Sequence, residues 1–155
     1  MVICNSDGEF IAVCAKWPGR AHDARVWRNS AVFIKLSTGY TGDKYFIADS
    51  AYPISRHLLK PYSTQEAAAA PVKQHFNNVL TKDRVLIENV IGQWKCRFQM
   101  LRVALRLSLE LVPKFILATA ILHNIGKYLN DNYTSLTRGL RTMMTVVMTM
   151  TTVNK

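Results

Sequence analysis

The sequence predicts a mixed α/β domain in which a hairpin, a helix and a strand precede two C-terminal helices. Three observations favour this class. The N-terminal residues hold two β-branched apolar runs around a polar turn, residues 45–48 form a short apolar run that ends at Asp49, and apolar residues recur at steps of three and four after residue 81. With 155 residues, 49% of them apolar, the chain can bury one ordinary core.

The β part comes from two stretches. In "MVICNSDGEFIAVCAKW" two apolar runs flank Ser6-Asp7-Gly8, a composition typical of an antiparallel hairpin. "KYFIAD" shows no polar alternation, which predicts a short strand buried on both faces with Asp49 at its carboxyl end. A carboxylate at such a position costs free energy unless it has a partner.

The first helix is expected from Asp23, placed to cap the first turn, to Gly39, a residue that commonly follows a helix. Residues 60–80 hold two prolines and an alanine run, which favour a long loop with at most a helical turn. After Thr81 the apolar stripe of an amphipathic helix follows. Its members are Ile87, Ile91, Trp94, Phe98, Leu101 and Leu105.

A second C-terminal helix is expected to begin around Pro113, because proline is tolerated in the first turn. The tail is a Met/Thr repeat without charge until its last residue. We therefore predict a domain at residues 1–130 and a disordered tail at residues 131–155.

Charge and cysteine content narrow the classes of function. Lys and Arg outnumber Asp and Glu by 20 to 10, and a net charge of +10 favours polyanionic partners such as nucleic acid or anionic lipid. Three cysteines without metal-binding spacing argue against a disulfide framework and indicate reduced thiols in a nuclear or cytosolic compartment. The apolar segment "FILATAILH" is too short to span a bilayer, so no membrane association is expected.

Two carboxylates are candidates for one site. Asp49 lies at a strand end, and Glu88 follows Ile87 at the margin of the apolar stripe, where both could bind a divalent cation. Such an ion can activate a water or a DNA hydroxyl for attack on phosphorus. Arg84, Lys95 and Arg97 on the same helix would contact phosphates, although such cations also suit a merely solvated helix face. Gly92 in this helix indicates either a close approach by substrate or a tight helix crossing.

Four motifs occur in order, and together they resemble the catalytic domain of PIF/Harbinger-type DDE transposases and their transposase-derived nuclease relatives. They are "PGRAHDARVWRNS", "YFIADSAYP" followed by "LLKPY", "FNNVLTKDRVLIENVIGQWKCRFQML" and "ILHN". The resemblance implies an RNase H-like fold and an Asp-Asp-Glu triad that uses Mg²⁺ or Mn²⁺ to act on DNA phosphodiester bonds. It assigns the second aspartate to Asp49 and the glutamate to Glu88, with His22 and Asp23 near the site but outside the triad.

One part of the family pattern is absent. The first catalytic aspartate, on the first strand in a motif like "DGTH", has no counterpart, and Asp7 matches the family's hairpin turn instead. We therefore expect an N-terminally truncated domain that lacks its first, central strand, is marginally stable and is inactive alone. In the non-catalytic interpretation, His22 is a satisfied, partly buried polar group and Asp23 is a helix cap.

The resemblance also implies a nuclear location, DNA as substrate and a Myb-like nuclear partner protein. The alternative function is not enzymatic: the chain would be a non-catalytic, basic DNA-binding or protein-interaction module.

Overall fold

The computed structural model describes residues 1–17, 21–39 and 45–131, together with the backbone of residues 147–151. Five strands and five α-helices are assigned in this part of the chain. In chain order they are β1 (Val2–Cys4), β2 (Phe10–Val13), α1 (Asp23–Arg28), α2 (Ala31–Ser37), β3 (Tyr45–Ile47), β4 (Leu58–Leu59), α3 (Thr64–Ala68), α4 (Pro71–Arg97), a 3₁₀ turn (Gln99–Arg102), α5 (Leu111–Tyr128) and β5 (Val147–Thr151). The predicted mixed α/β class is confirmed.

The predicted N-terminal hairpin is present. β1 and β2 pair antiparallel, with Val2 opposite Val13 and an irregularity where Cys4 opposes Phe10. Gly8 closes the turn at φ +76°, a conformation that favours glycine, and its N–H donates to the Asn5 carbonyl at 3.0 Å. A Cβ at Gly8 would also overlap the side chain of Val90. Backbone conformation and packing therefore both require glycine here.

The strands form one sheet in the order β2-β1-β5-β3-β4. β5 runs parallel to β1 and antiparallel to β3, whereas β3 and β4 are parallel. The structure differs here from the expected sheet without a central strand, because β5 occupies the position between the hairpin and β3. Most of the predicted tail, residues 132–146 and 152–155, lies outside the described residues, and the division of the chain at residue 130 stays a prediction.

Helices cover both faces of the sheet. On the face of α4 and α5, one core cluster contains Val2, Cys4, Phe10, Ile87, Val90, Ile91, Trp94 and Ala120. On the face of α1 and α2, the second contains Ile3, Trp27, Leu36, Phe46, Ala48, Tyr52 and Leu58. Successive residues of a strand point to opposite faces, so β1 supplies both clusters. Phe46 and Ala48 lie in the second cluster, and Ile47, which points to the other face, is buried, so the prediction of a strand buried on both faces before Asp49 is confirmed.

The predicted first helix is divided in two. The hydroxyl of Ser30 accepts a hydrogen bond from the Phe33 N–H at 3.1 Å and starts α2 as its N-cap. The prediction that Asp23 caps α1 is wrong, since His22 holds the N-cap position and Asp23 is the first helical residue. The predicted stop at Gly39 is confirmed, with φ +78°.

The prediction of a long loop at residues 60–80 is wrong. Ser63 and Glu66 form a capping box that starts α3, and Pro71 stands at the first position of a 27-residue α4. Prolines in this segment favour a loop by sequence, whereas at the first helical position the missing N–H of proline costs nothing. In the described part of the chain, no helix is both long and apolar enough to cross a membrane.

Candidate functional site

Asp49 lies directly after the fully buried Ala48 at the carboxyl end of β3. Its Oδ1 accepts a hydrogen bond from the Ala51 N–H at 2.6 Å, and its carbonyl accepts from the Tyr52 N–H at 3.2 Å. The carboxylate thus stands in a tight turn that supplies one of its partners. This local hydrogen bond partly offsets the cost of placing a charge at the end of a buried strand.

Glu88 lies on the outer side of α4, next to the fully buried Ile87. Its side chain is 61% exposed, and its Oε1 is 3.7 Å from Nη2 of Arg84, one turn earlier. An exposed pair at this spacing contributes little to stability. Glu88 is therefore accessible from solvent.

Asp23 of α1 is close enough to Asp49 for the two carboxylates to interact electrostatically. Trp27 of α1 packs edge-on against Phe46 of β3, with ring centroids 6.0 Å apart, which holds the two elements together. Asp23 stands one turn before Trp27, and Asp49 stands three residues after Phe46. Burial raises the pKa of Asp23, and the negative charge of Asp49 raises it further.

Tyr52 interacts electrostatically with the same two carboxylates, those of Asp23 and Asp49. Its side chain is 1% exposed, and its hydroxyl has no hydrogen-bond partner among the described residues. Burial, and then the carboxylates of Asp23 and Asp49, raise the pKa of Tyr52. The predicted supporting residue His22 is exposed rather than a partly buried, satisfied group.

The described residues do not fit a complete metal centre. Among residues 1–17, 21–39 and 45–131, no group of three or more His, Cys, Asp or Glu side chains could hold an ion. Asp49 and Glu88 have different neighbours, the first its own turn and Asp23, the second Arg84. A three-carboxylate site would require a third carboxylate near Asp49 and Glu88.

The three predicted phosphate contacts have different surroundings. Arg84 faces Glu88, and Nη2 of Arg97 is 2.6 Å from Oδ2 of Asp131. The Arg97 side chain is only 16% exposed. Lys95 is half-buried and makes no ion pair within the described part of the chain. Of the three cations, Lys95 is thus the one that no described carboxylate neutralises.

The two glycines of the long helices play opposite roles. A Cβ at Gly92 would meet no described atom within 4 Å, so the expected tight helix crossing is not found there. A Cβ at Gly126 would overlap the guanidinium of Arg97, which crosses α5 at this point. The close approach thus occurs on α5, and the helix surface at Gly92 is open.

The "ILHN" motif packs α5 against β2, through contacts whose partner the sequence did not identify. The Asn124 amide accepts a hydrogen bond from the Phe10 N–H and donates one to the Phe10 carbonyl, both at 2.8 Å. The ring of His123 lies 5.1 Å from the Phe10 ring and is 4% exposed. Burial and then nearby positive charge lower the pKa of His123 to about 4. Both residues fix α5 against β2, the edge strand of the sheet.

A family model described as DDE superfamily endonuclease matches residues 1–124, which include Asp49 and Glu88. The chain belongs to this family. This match and the relatives that follow together confirm the resemblance to Harbinger-type transposases and nucleases.

Curated relatives of the DDE superfamily endonuclease chain occur in animals and plants. The mouse protein named "Putative nuclease HARBI1" is 30% identical over 129 residues, which cover 81% of this chain and 36% of the mouse protein. Its human counterpart is 27% identical over the same length, and the Arabidopsis thaliana "Protein ALP1-like" is 23% identical over 137 residues, 79% of this chain and 33% of the plant protein. The chain thus spans about a third of the length of these relatives. No solved structure matches it.

Proposed function

We propose that this chain is part of an RNase H-like nuclease domain that acts on DNA phosphodiester bonds and that it does not cleave DNA alone. The family match over residues 1–124 carries this proposal, because it spans both predicted carboxylates. Asp49 at the end of β3 and Glu88 on the outer side of α4 are the residues that would bind Mg²⁺ or Mn²⁺. The ion would activate the attacking water or hydroxyl in the complete domain.

Inactivity of the isolated chain follows from the number of available ligands. Divalent cations of this kind need several oxygen ligands, and the described residues offer no group of three. β5, which holds the central position of the sheet, contains only Val, Met and Thr and brings no carboxylate there. Two carboxylates alone would bind the ion weakly.

A plasmid-nicking assay tests this proposal. The purified chain is incubated with supercoiled DNA and Mg²⁺ or Mn²⁺, next to the variants Asp49→Ala and Glu88→Gln. We expect no nicking by the chain above the level of either variant. Metal-dependent nicking that Asp49→Ala abolishes would contradict the expected inactivity, whereas nicking that both variants retain would remove the assigned carboxylates from the chemistry.

A second candidate function is a basic module that binds DNA without cutting it. The observation in its favour is the cationic surface of α4 and the following turn, where Lys82, Arg102 and Arg106 are exposed and Lys95 lacks a described carboxylate partner. Binding through phosphates predicts affinity that falls steeply with salt, with a slope of about −0.9 per neutralised phosphate in a log–log plot.

Anisotropy titrations of labelled duplex DNA at several salt concentrations test this second function. Lys95→Ala should make the log–log slope shallower by about 0.9, the contribution of one neutralised phosphate. The matched control is Lys35→Ala on α2, away from α4, which should leave the slope unchanged. A wild-type affinity that is insensitive to salt would refute phosphate-mediated binding.

A nuclear location and a Myb-like nuclear partner protein also belong to this proposal. They rest on the resemblance to Harbinger-type proteins, and imaging of the tagged chain in cells tests the first of them. Exclusion of the chain from the nucleus would contradict it.

A further inference from the structure

The position between β1 and β3 is shaped to take an extended strand. Ile3 and Cys4 on one side are fully buried, and Phe46 and Ile47 on the other are 3% and 2% exposed. The outer edges of these two strands are already paired with β2 and β4. Without a strand between them, backbone N–H and C=O groups at the sheet centre would lose their partners, which is costly in a buried place.

β5 fills this position through backbone pairing on both sides. Residues 147–149 are register partners of β1, and residues 149–151 are register partners of β3. The segment that joins α5 to β5 comprises residues 129–146 and could extend over roughly 60 Å at about 3.3 Å per residue. That reach allows the same strand to enter the equivalent position of a neighbouring molecule.

The sequence around β5 specifies neither one pairing register nor the chain whose sheet the strand must join. Residues 142–153 contain no charged side chain, so entry into the sheet centre buries no charge. Thr, Met and Val fill every position of this stretch, and a shift by two residues presents the same residue types. Registers of such segments are weakly specified, which favours alternative pairings.

We propose that the position between β1 and β3 is a strand-acceptor site and that β5 is exchangeable between two copies of this chain. At low concentration β5 fills the site of its own chain, and at high concentration it fills that of a second copy, which returns its own β5. The same pairings form in both states, so the balance depends on the effective concentration of β5 at the site of its own chain relative to the concentration of the protein.

A disulfide between paired strands reports which chain supplies β5. Cys4 and Thr149 are register partners, and neighbouring strands bring Cα atoms to a separation that a disulfide can bridge. Both chains carry Cys14→Ser and Cys96→Ser. One keeps Cys4, and the other carries Cys4→Ala with Thr149→Cys. The two are refolded together under reducing conditions at increasing concentration and are then oxidised.

We expect a disulfide-linked pair of unlike chains whose yield rises with protein concentration. The matched control replaces Thr149→Cys by Val72→Cys, a position on α4 that is 80% exposed and outside the sheet. A third chain with both Cys4 and Thr149→Cys should form an internal disulfide at low concentration, which establishes that β5 enters the site.

The outcomes separate the two parts of the inference. An internal disulfide without a mixed pair above the Val72→Cys control would overturn strand exchange. Absence of both disulfides for Thr149→Cys, and equally for Val147→Cys and Thr151→Cys two residues to either side, in chains that still unfold cooperatively would overturn the assignment of the site to β5. Neither result depends on nuclease activity.

Discussion

Removal of the Asn124 amide should destabilise the edge of the sheet at β2. β2 is an edge strand, and the N–H and carbonyl of Phe10 both receive their partners from Asn124 at 2.8 Å. Phe10 itself is 7% exposed, so water has little access to these groups in a truncated variant. Each buried backbone group left without a partner costs about 1–3 kcal/mol. Asn124→Ala leaves two such groups and should therefore lower the free energy of unfolding by roughly 2–6 kcal/mol.

Urea unfolding followed by tryptophan fluorescence measures this loss. Trp94 lies 4.9 Å from Phe10 and therefore reports on the same contact region. With a dependence of about 1–3 kcal/mol per molar urea, the midpoint should fall by about 0.7 M or more. The matched control is Asn78→Ala at an exposed position of α4, which should change stability by less than about 0.5 kcal/mol. An Asn124→Ala variant as stable as this control would refute the role assigned to the amide.

Three further predictions concern stability. Because the folded pKa of His123 is lowered to about 4 from 6.5, the unfolded chain takes up the proton first, and stability should be complete above pH 6.5 and fall by up to roughly 3 kcal/mol toward pH 4. Urea unfolding of wild type and His123→Gln across this range checks it, and parallel pH curves would contradict it. Gly92→Ala should raise the free energy of unfolding by up to about 1 kcal/mol, whereas Gly126→Ala should lower it because the methyl group displaces Arg97; thermal unfolding of both variants tests the expected opposite signs. Tyr52→Phe should be neutral or stabilising, since the buried hydroxyl has no described partner, and a loss above about 1 kcal/mol in urea unfolding would show that this hydroxyl is satisfied.

Local patterns in the sequence predicted most elements of the fold. Ser6-Asp7-Gly8 indicated the hairpin, and the stripe through Trp94 indicated α4, because turn chemistry and helical periodicity are local properties. The loop predicted at residues 60–80 failed where two signals competed. Proline argued against helix, yet the capping box of α3 and the place of Pro71 at a helix start decided the outcome.

The candidate site was less accessible from sequence than the fold. Asp49 and Glu88 were predicted from their places at a strand end and at the margin of an apolar helix stripe and from motif resemblance, and their separate surroundings became visible only in three dimensions. The relation of Asp23 to Asp49 depends on the contact between Trp27 and Phe46, which no local pattern encodes. The bond between Asn124 and Phe10 joins residues 114 positions apart, and a helical asparagine carries no signal of such a partner.

Because β5 is both the central strand and the last one in the described part of the chain, the sheet can close only late in synthesis. β1 ends at Cys4 and β5 starts at Val147, so the ribosome must translate the whole intervening chain before the sheet can close. At about 5–20 residues per second this takes on the order of seven to thirty seconds. Until β5 is synthesised, the inner edge of β1, and that of β3 once it has been translated, lack their backbone partners, and chaperones that bind extended apolar segments should engage them.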